Sequence, residues 1–231
     1  VDEKLVIAKQ LEALGVDVIE AGFAVSSQGD FNAVSQIAET IKNCKVASLA
    51  RVVEGDIDKA AQALEKASNP RIHTFVSSSA IHMEHQMRKD PEEIIDMAVK
   101  AVSKAKYYVD DVEFSPMDAT RTDIDFLVTL LEATIEAGAN TINIPDTVGY
   151  AVSKEFGESI KILRDRIRNI DNVIISVHCH NDLGLAVSNS LAAVENGACL
   201  LYTSPSPRDQ RGSRLGGGGG KKKGGGGGGG G

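Results

Sequence analysis

The stretch Glu136-Ala137-Gly138-Ala139-Asn140-Thr141-Ile142-Asn143-Ile144 decides the architecture: a helix runs out at a glycine and a β-branched run starts directly behind it. Glycine suits the position just past a helix because it takes the left-handed backbone conformation without a Cβ penalty. Two other exits nearly copy this one, Ala13-Leu14-Gly15-Val16 and Glu195-Asn196-Gly197-Ala198. Outward from these, short β-branched runs alternate with longer amphipathic segments from Val1 to about Cys199. That alternation is the pattern of repeated strand–helix units around a parallel sheet, an α/β fold. Strands are expected near Val16–Glu20, Val46–Arg51, Ile72–Val76, Asp111–Ser115, Thr141–Ile144 and Val173–His178, with a helix after each and one before the first. Asp90-Pro91-Glu92-Glu93 adds a helix start, with an N-cap, a proline at the first helical position and acids in the first turn.

The bulk composition fits one domain of this kind. The chain has 231 residues, 42% hydrophobic and 25% charged, a soluble globular mix without an apolar run long enough to span a bilayer. A cytoplasmic enzyme is the expectation. The net charge of -7 argues against nucleic acid, because phosphate binding needs a concentrated basic surface and the Lys221-Lys222-Lys223 block sits in a glycine tract. Cys44, Cys179 and Cys199 are an odd number without paired spacing, which suits reduced thiols.

After the third helix exit a seventh strand is due, yet Leu201-Tyr202-Thr203-Ser204-Pro205-Ser206-Pro207-Arg208-Asp209-Gln210 carries two prolines and no apolar alternation. The reading therefore divides the chain into residues 1–198, a partial barrel, and 199–231, a tail of non-native appearance. From Cys199 to Asp209 the tail looks like a translated sequencing-library adapter, and the glycine run beyond Leu215 looks like translated poly-G base calls. A Gly/Lys tract cannot bury a core and is expected to be disordered.

In a ring of strand–helix units, functional side chains lie at the C-terminal ends of the strands. Those ends are polar: Glu20, Arg51, His73, Glu113 with Ser115, Asn143 with Asp146 and Thr147, and His178-Cys179-His180-Asn181-Asp182. Alternation along a strand puts His178 and His180 on one face and Cys179 on the other. Two imidazoles on one face can hold one metal ion, with other ligands needed from elsewhere; the competing reading makes one of them a packed barrel residue. His73 read by itself is a structural strand-end histidine. His82 and His85 are expected to be solvated or lid residues, and Cys179 a small buried hydrophobe. Glu20 and Glu113 are candidate acid/base groups, or else ion-pair partners of Arg51 and Arg121.

The stretches Val18-Ile19-Glu20-Ala21-Gly22-Phe23, Arg71-Ile72-His73-Thr74-Phe75, Val112-Glu113-Phe114-Ser115, Asn143-Ile144-Pro145-Asp146-Thr147-Val148-Gly149-Tyr150 and His178-Cys179-His180-Asn181-Asp182-Leu183-Gly184-Leu185-Ala186 together resemble the 2-isopropylmalate synthase branch of the acyl-CoA condensing, HMG-CoA lyase-like barrels. The resemblance implies a partial TIM (β/α)8 barrel with about six of eight strands. It implies condensation of acetyl-CoA with 2-oxoisovalerate to 2-isopropylmalate and CoA, the committed step of leucine synthesis. Homocitrate or citramalate synthesis, C–C cleavage on the same barrel and a non-catalytic metal-binding remnant are the alternatives. It further implies a divalent cofactor, Mg or Mn before Zn, held by His178 and His180, with His73, Ser115, Asn143 and Thr147 lining the ketoacid pocket, and a homodimer in the full-length protein.

Departures from the family pattern shape the remaining expectations. The family's first strand carries an Arg-Asp pair, which nothing upstream of Val1 supplies, and its eighth an Asn ligand, whose place the adapter-like tail takes, so the chain is expected to be a piece truncated at both ends and inactive or feeble. Met117 stands where the resemblance calls for an acid. Open edges on an incomplete ring predict poor solubility.

Overall fold

The computed structural model describes residues 2–202. Along them run α1 (Asp2–Leu14), β1 (Val18–Gly22), α2 (Gln28–Thr40), β2 (Lys45–Arg51), α3 (Glu54–Ala63), β3 (Pro70–Ser77), the single turn α4 (Ala80–His82), α5 (Pro91–Tyr108), β4 (Asp111–Met117), α6 (Ile124–Glu136), β5 (Thr141–Asp146), α7 (Ser153–Arg166), β6 (Ile174–Cys179), α8 (Ala186–Glu195) and β7 (Leu200–Leu201). Each strand pairs in parallel with the next, so the sheet order is the order of the sequence. Parallel neighbours need a long crossover, and the helices supply it. The sheet curls far enough that Tyr202, just past β7, donates its hydroxyl hydrogen to Glu20 Oε2 on β1 at 2.9 Å.

Local signals act where the sequence places them. Asp90 caps α5 in a reciprocal box with Glu93, behind Pro91. Gly15 and Gly138 have φ of +85° and +114°, the conformation their helix exits require. The helix-facing sides of the strands form the core, where Ile72, Val112, Ile142 and Val177 are fully buried against side chains such as Ile94, Val102, Leu130 and Ile160.

Two expectations need correction. Seven strands, not six, are present among the described residues, because Leu200 and Leu201 pair with Ser176 and Val177 on β6. Pro205 and Pro207 do not exclude a strand at Leu200–Leu201, because a proline removes only its own ladder donor. β7 also lies beyond the expected boundary at residue 198. The remainder of that segment, residues 203–231, lies outside the described residues.

The inner faces of the strands are polar. Register sets Arg71 beside Asp111, His73 beside Glu113 and Asn143 beside Ser176, and alternation carries Ser115, Thr141 and His178 to the same side. Between the unjoined edges β1 and β7 lies a cavity of about 590 Å³, lined by Ile7 and Leu11 of α1, by Ile19, Leu200 and Tyr202, and by Glu20, Arg71 and Glu113.

Candidate active site

Three consecutive strands bring His73, Ser115 and Asn143 into one hydrogen-bonded group. His73 Nε2 lies 2.7 Å from Ser115 Oγ, and Asn143 Nδ2 donates to the same oxygen at 2.9 Å. All three residues are buried. On its other side His73 Nδ1 donates to Glu20 Oε2 at 2.5 Å. Burial works against the charged ring, but Glu113 and Glu20 outweigh it and lift His73 above its ordinary value. Burial likewise works to raise the Glu20 carboxyl, and the His73 ring overrides it, holding the carboxyl low.

Deeper in the ring, Arg71 is 1% exposed and forks between two carboxylates. Its Nε and Nη2 donate to Asp111, its Nη1 donates to Glu113 Oε2 at 2.8 Å, and Nη2 also reaches Thr141 Oγ1. Lys45 closes the group with an ion pair to Asp111. The expected ion-pair partners of Glu20 and Glu113 are therefore wrong. Glu113 pairs with Arg71 and Glu20 with His73, while Arg51 is taken by Asp56 in the first turn of α3 and Arg121 by Asp118. In both cases an acid only a few residues along the chain satisfies the arginine first. Arg71 escaped the sequence reading, although its place two residues before His73 on an alternating strand was the available signal.

At the mouth, the His178 and His180 rings lie 5.0 Å apart at 71°, on the face opposite buried Cys179. Burial, seconded by His180, pushes His178 down to about 4, so at neutral pH it is the neutral imidazole that ligates metals. Burial raises the Cys179 thiol to about 11, as befits a packed hydrophobe. Tyr202 stacks on His178 at 4.8 Å and also touches His73 Nδ1 at 2.9 Å. It was missed because it stands in the stretch read as tail.

Thr147 stands apart from the trio: its Oγ1 accepts from the Asp118 N–H at 2.9 Å and so ties the ends of β4 and β5 together. Asp146 accepts from Thr120 Oγ1 and from the Ala151 N–H. His82 is partly exposed and is held by Ser79 Oγ at 3.0 Å and Asp118 Oδ2 at 3.2 Å, whereas His85 is exposed. Met117 ends β4 half-buried, its carbonyl accepting from Ser78.

A family model described as HMGL-like matches residues 1–204. The chain belongs to the HMGL-like family. Relatives named 2-isopropylmalate synthase include one from Syntrophus aciditrophicus, 59% identical over 196 residues, 85% of this chain and 38% of that one. Another from Pyrococcus abyssi is 58% identical over 198 residues, 86% of this chain and 41% of that one. The chain thus spans about two fifths of the length of these relatives. Among solved structures, a hydroxymethylglutaryl-CoA lyase from Pseudomonas aeruginosa superposes with a TM-score of 0.69 at 18% identity, covering 88% of this chain and 69% of that one. The Bacillus subtilis HMG-CoA lyase gives 0.67 at 20%, covering 87% and 68%. These likenesses establish the curled α/β barrel architecture of the HMGL-like family.

The donor chemistry suits a divalent cation as far as it goes. Two imidazoles at the end of one strand, that of His178 neutral, supply two nitrogens. Among the described residues, no group of three His, Cys, Asp or Glu side chains completes a cage. Further positions would fall to oxygens from a ligand or from water. Nearby, Asn143 Oδ1 and Glu113 Oε1 are buried acceptors without a partner.

Proposed function

We propose that the protein condenses acetyl-CoA with 2-oxoisovalerate, giving 2-isopropylmalate and free CoA. The observation that carries this reading is the pair His178 and His180 at the mouth of the ring, beside the His73–Ser115–Asn143 group. The names and identities of the relatives support it.

In this reading His178 and His180 hold a divalent ion, Mg or Mn, whose chemistry when bound is Lewis-acid polarisation of the ketoacid carbonyl. Ser115 and Asn143 orient the ketoacid beside them through hydrogen bonds. Thr147 acts by holding the β4 and β5 ends in register. Glu20 is the group best placed to move a proton, being a carboxylate at the rim of the β1–β7 cavity with His73 behind it. Glu113 is committed to Arg71 and serves the scaffold. No helix among the described residues is long and apolar enough to cross a membrane. Cytoplasmic placement and a homodimer belong to the same reading.

The test is release of CoA thiol by the full-length protein from acetyl-CoA, with Mg or Mn, on 2-oxoisovalerate, pyruvate and 2-oxoglutarate in parallel. Fastest release on 2-oxoisovalerate supports the proposal. Preference for another acid moves it to citramalate or homocitrate synthesis, and cleavage of a hydroxyacyl thioester without any condensation overturns it.

A further inference from the structure

Tyr202 touches both the Glu20–His73 pair and the histidines at the mouth. Its hydroxyl donates to Glu20 Oε2 at 2.9 Å, and the same oxygen lies 2.9 Å from His73 Nδ1. Its ring stacks on that of His178, with centroids 4.8 Å apart and planes 10° from parallel, and lies 5.7 Å from that of His73. The phenol is thus received as a bound molecule would be, by aromatic faces along its ring and a carboxylate acceptor at its polar end. Burial, seconded by Glu20, holds the hydroxyl well above its ordinary value, so it keeps the hydrogen that the carboxylate accepts.

This position conflicts with the groups it covers. Imidazole nitrogens ligate in the plane of the ring, and the other ligands of a metal stand on both sides of that plane. The Tyr202 ring takes one side of His178. Glu20 Oε2 already accepts from both His73 Nδ1 and Tyr202. The tether of Tyr202 is slight by comparison. It follows the two-residue strand β7, which pairs with β6 alone among the described residues, and its own N–H donates to the Val177 carbonyl at that margin of the sheet. Short elements at an open margin open locally at low cost.

We propose that the space between Glu20, His73 and His178 is a binding seat for a phenol, and that Tyr202 fills it as an internal plug that withdraws when a divalent ion is taken up. Seated, the plug covers Glu20 and crowds His178; withdrawn, it frees both. The competition with metal rests on the function proposed above, whereas the phenol seat does not.

The seat is tested by NMR titration of the 231-residue chain with p-cresol, the tyrosine side chain as a free molecule. Tyr202→Ala should bind p-cresol, as an emptied ring-sized cavity takes up a matching aromatic, and the wild type should not. A folded Tyr202→Ala that binds none overturns the seat, and equal binding by both chains overturns the plug. Calorimetry with Mn alone tests the competition. Tyr202→Ala should bind Mn about tenfold more tightly than wild type, the worth of one hydrogen bond to a charged group released on plugging, and added p-cresol should reverse the gain. Tyr202→Phe keeps the ring, and with it the packing, and should show part of the same gain, which keeps the test decisive if Tyr202→Ala fails to fold. Equal or weaker Mn binding by the folded variants overturns the plug. Absence of Mn uptake in every form sinks the metal reading of His178 and His180, and the p-cresol comparison then decides the plug by itself.

Discussion

Arg71 and Glu113 meet at 2.8 Å in the middle of the ring, the guanidinium carbon chain and the carboxylate both withdrawn from solvent. Removing one member leaves the other charge buried and unpaired, which typically costs about 3–5 kcal/mol. Glu113→Ala should therefore lower the unfolding free energy by about that amount, measured by urea titration. A loss under about 1 kcal/mol would mean that Asp111 and Thr141 suffice to hold Arg71.

Asp111 makes stability pH-dependent. Burial tends to raise its carboxyl, but Lys45 and Arg71 bring it below the ordinary value. A carboxyl whose folded value lies below its unfolded one, ~4, adds stability that is present above the unfolded value and is lost as pH falls through the folded one. Asp111→Asn should cost about 1–3 kcal/mol at pH 7, and the gap from wild type should close toward pH 3. A gap that stays constant with pH would assign the loss to shape instead of charge.

Metal uptake should depend on both rings at the mouth. His178→Ala and His180→Ala are each expected to weaken Mn binding at least about tenfold, since changes even one shell out from a metal commonly cost 10- to 100-fold. Calorimetry with Mn measures it, and Cys179→Ala, on the opposite face, should leave it unchanged.

Gly149 positions the segment that carries those rings. Its φ is +62°, and a Cβ there would lie 2.5 Å from Asp182 Oδ2 and 3.0 Å from the Asp182 backbone nitrogen. Gly149→Ala should cost at least about 1–2 kcal/mol from the left-handed conformation alone, with further loss as Asp182 is displaced. Mn affinity should fall in parallel, because His180 lies two residues from Asp182. A variant of wild-type stability would show that the turn yields freely.

Periodicity carried the fold because each strand pairs with its sequence neighbour, so the units visible in order are also adjacent in space. His178 and His180 were legible as a same-face pair for the same reason, two residues being one strand repeat. What stayed hidden was set by long-range contact. Arg71 finds Asp111, Glu113 and Thr141 at separations of 40, 42 and 70 residues, and Glu20 finds His73 at 53. No local pattern encodes such choices, and Arg51 and Arg121, the arginines at neighbouring strand ends and loops, are not the partners. β7 was lost because two leucines are too short a run to show any alternation.

The sequential strand order also grades the protein from its middle to its rims. β3, β4 and β5, which bear His73, Ser115 and Asn143, are flanked on both sides by hydrogen-bonded strands, whereas β1 and β7 each have one such neighbour among the described residues. Amide hydrogens should therefore exchange slowly along β3 to β5 and quickly along β1 and β7. Transient fraying of β1 would carry the Glu20 carboxylate away from the ring it steadies while leaving the other three groups assembled. The half-life of that one contact would then be governed by the sheet's weakest margin and not by its core.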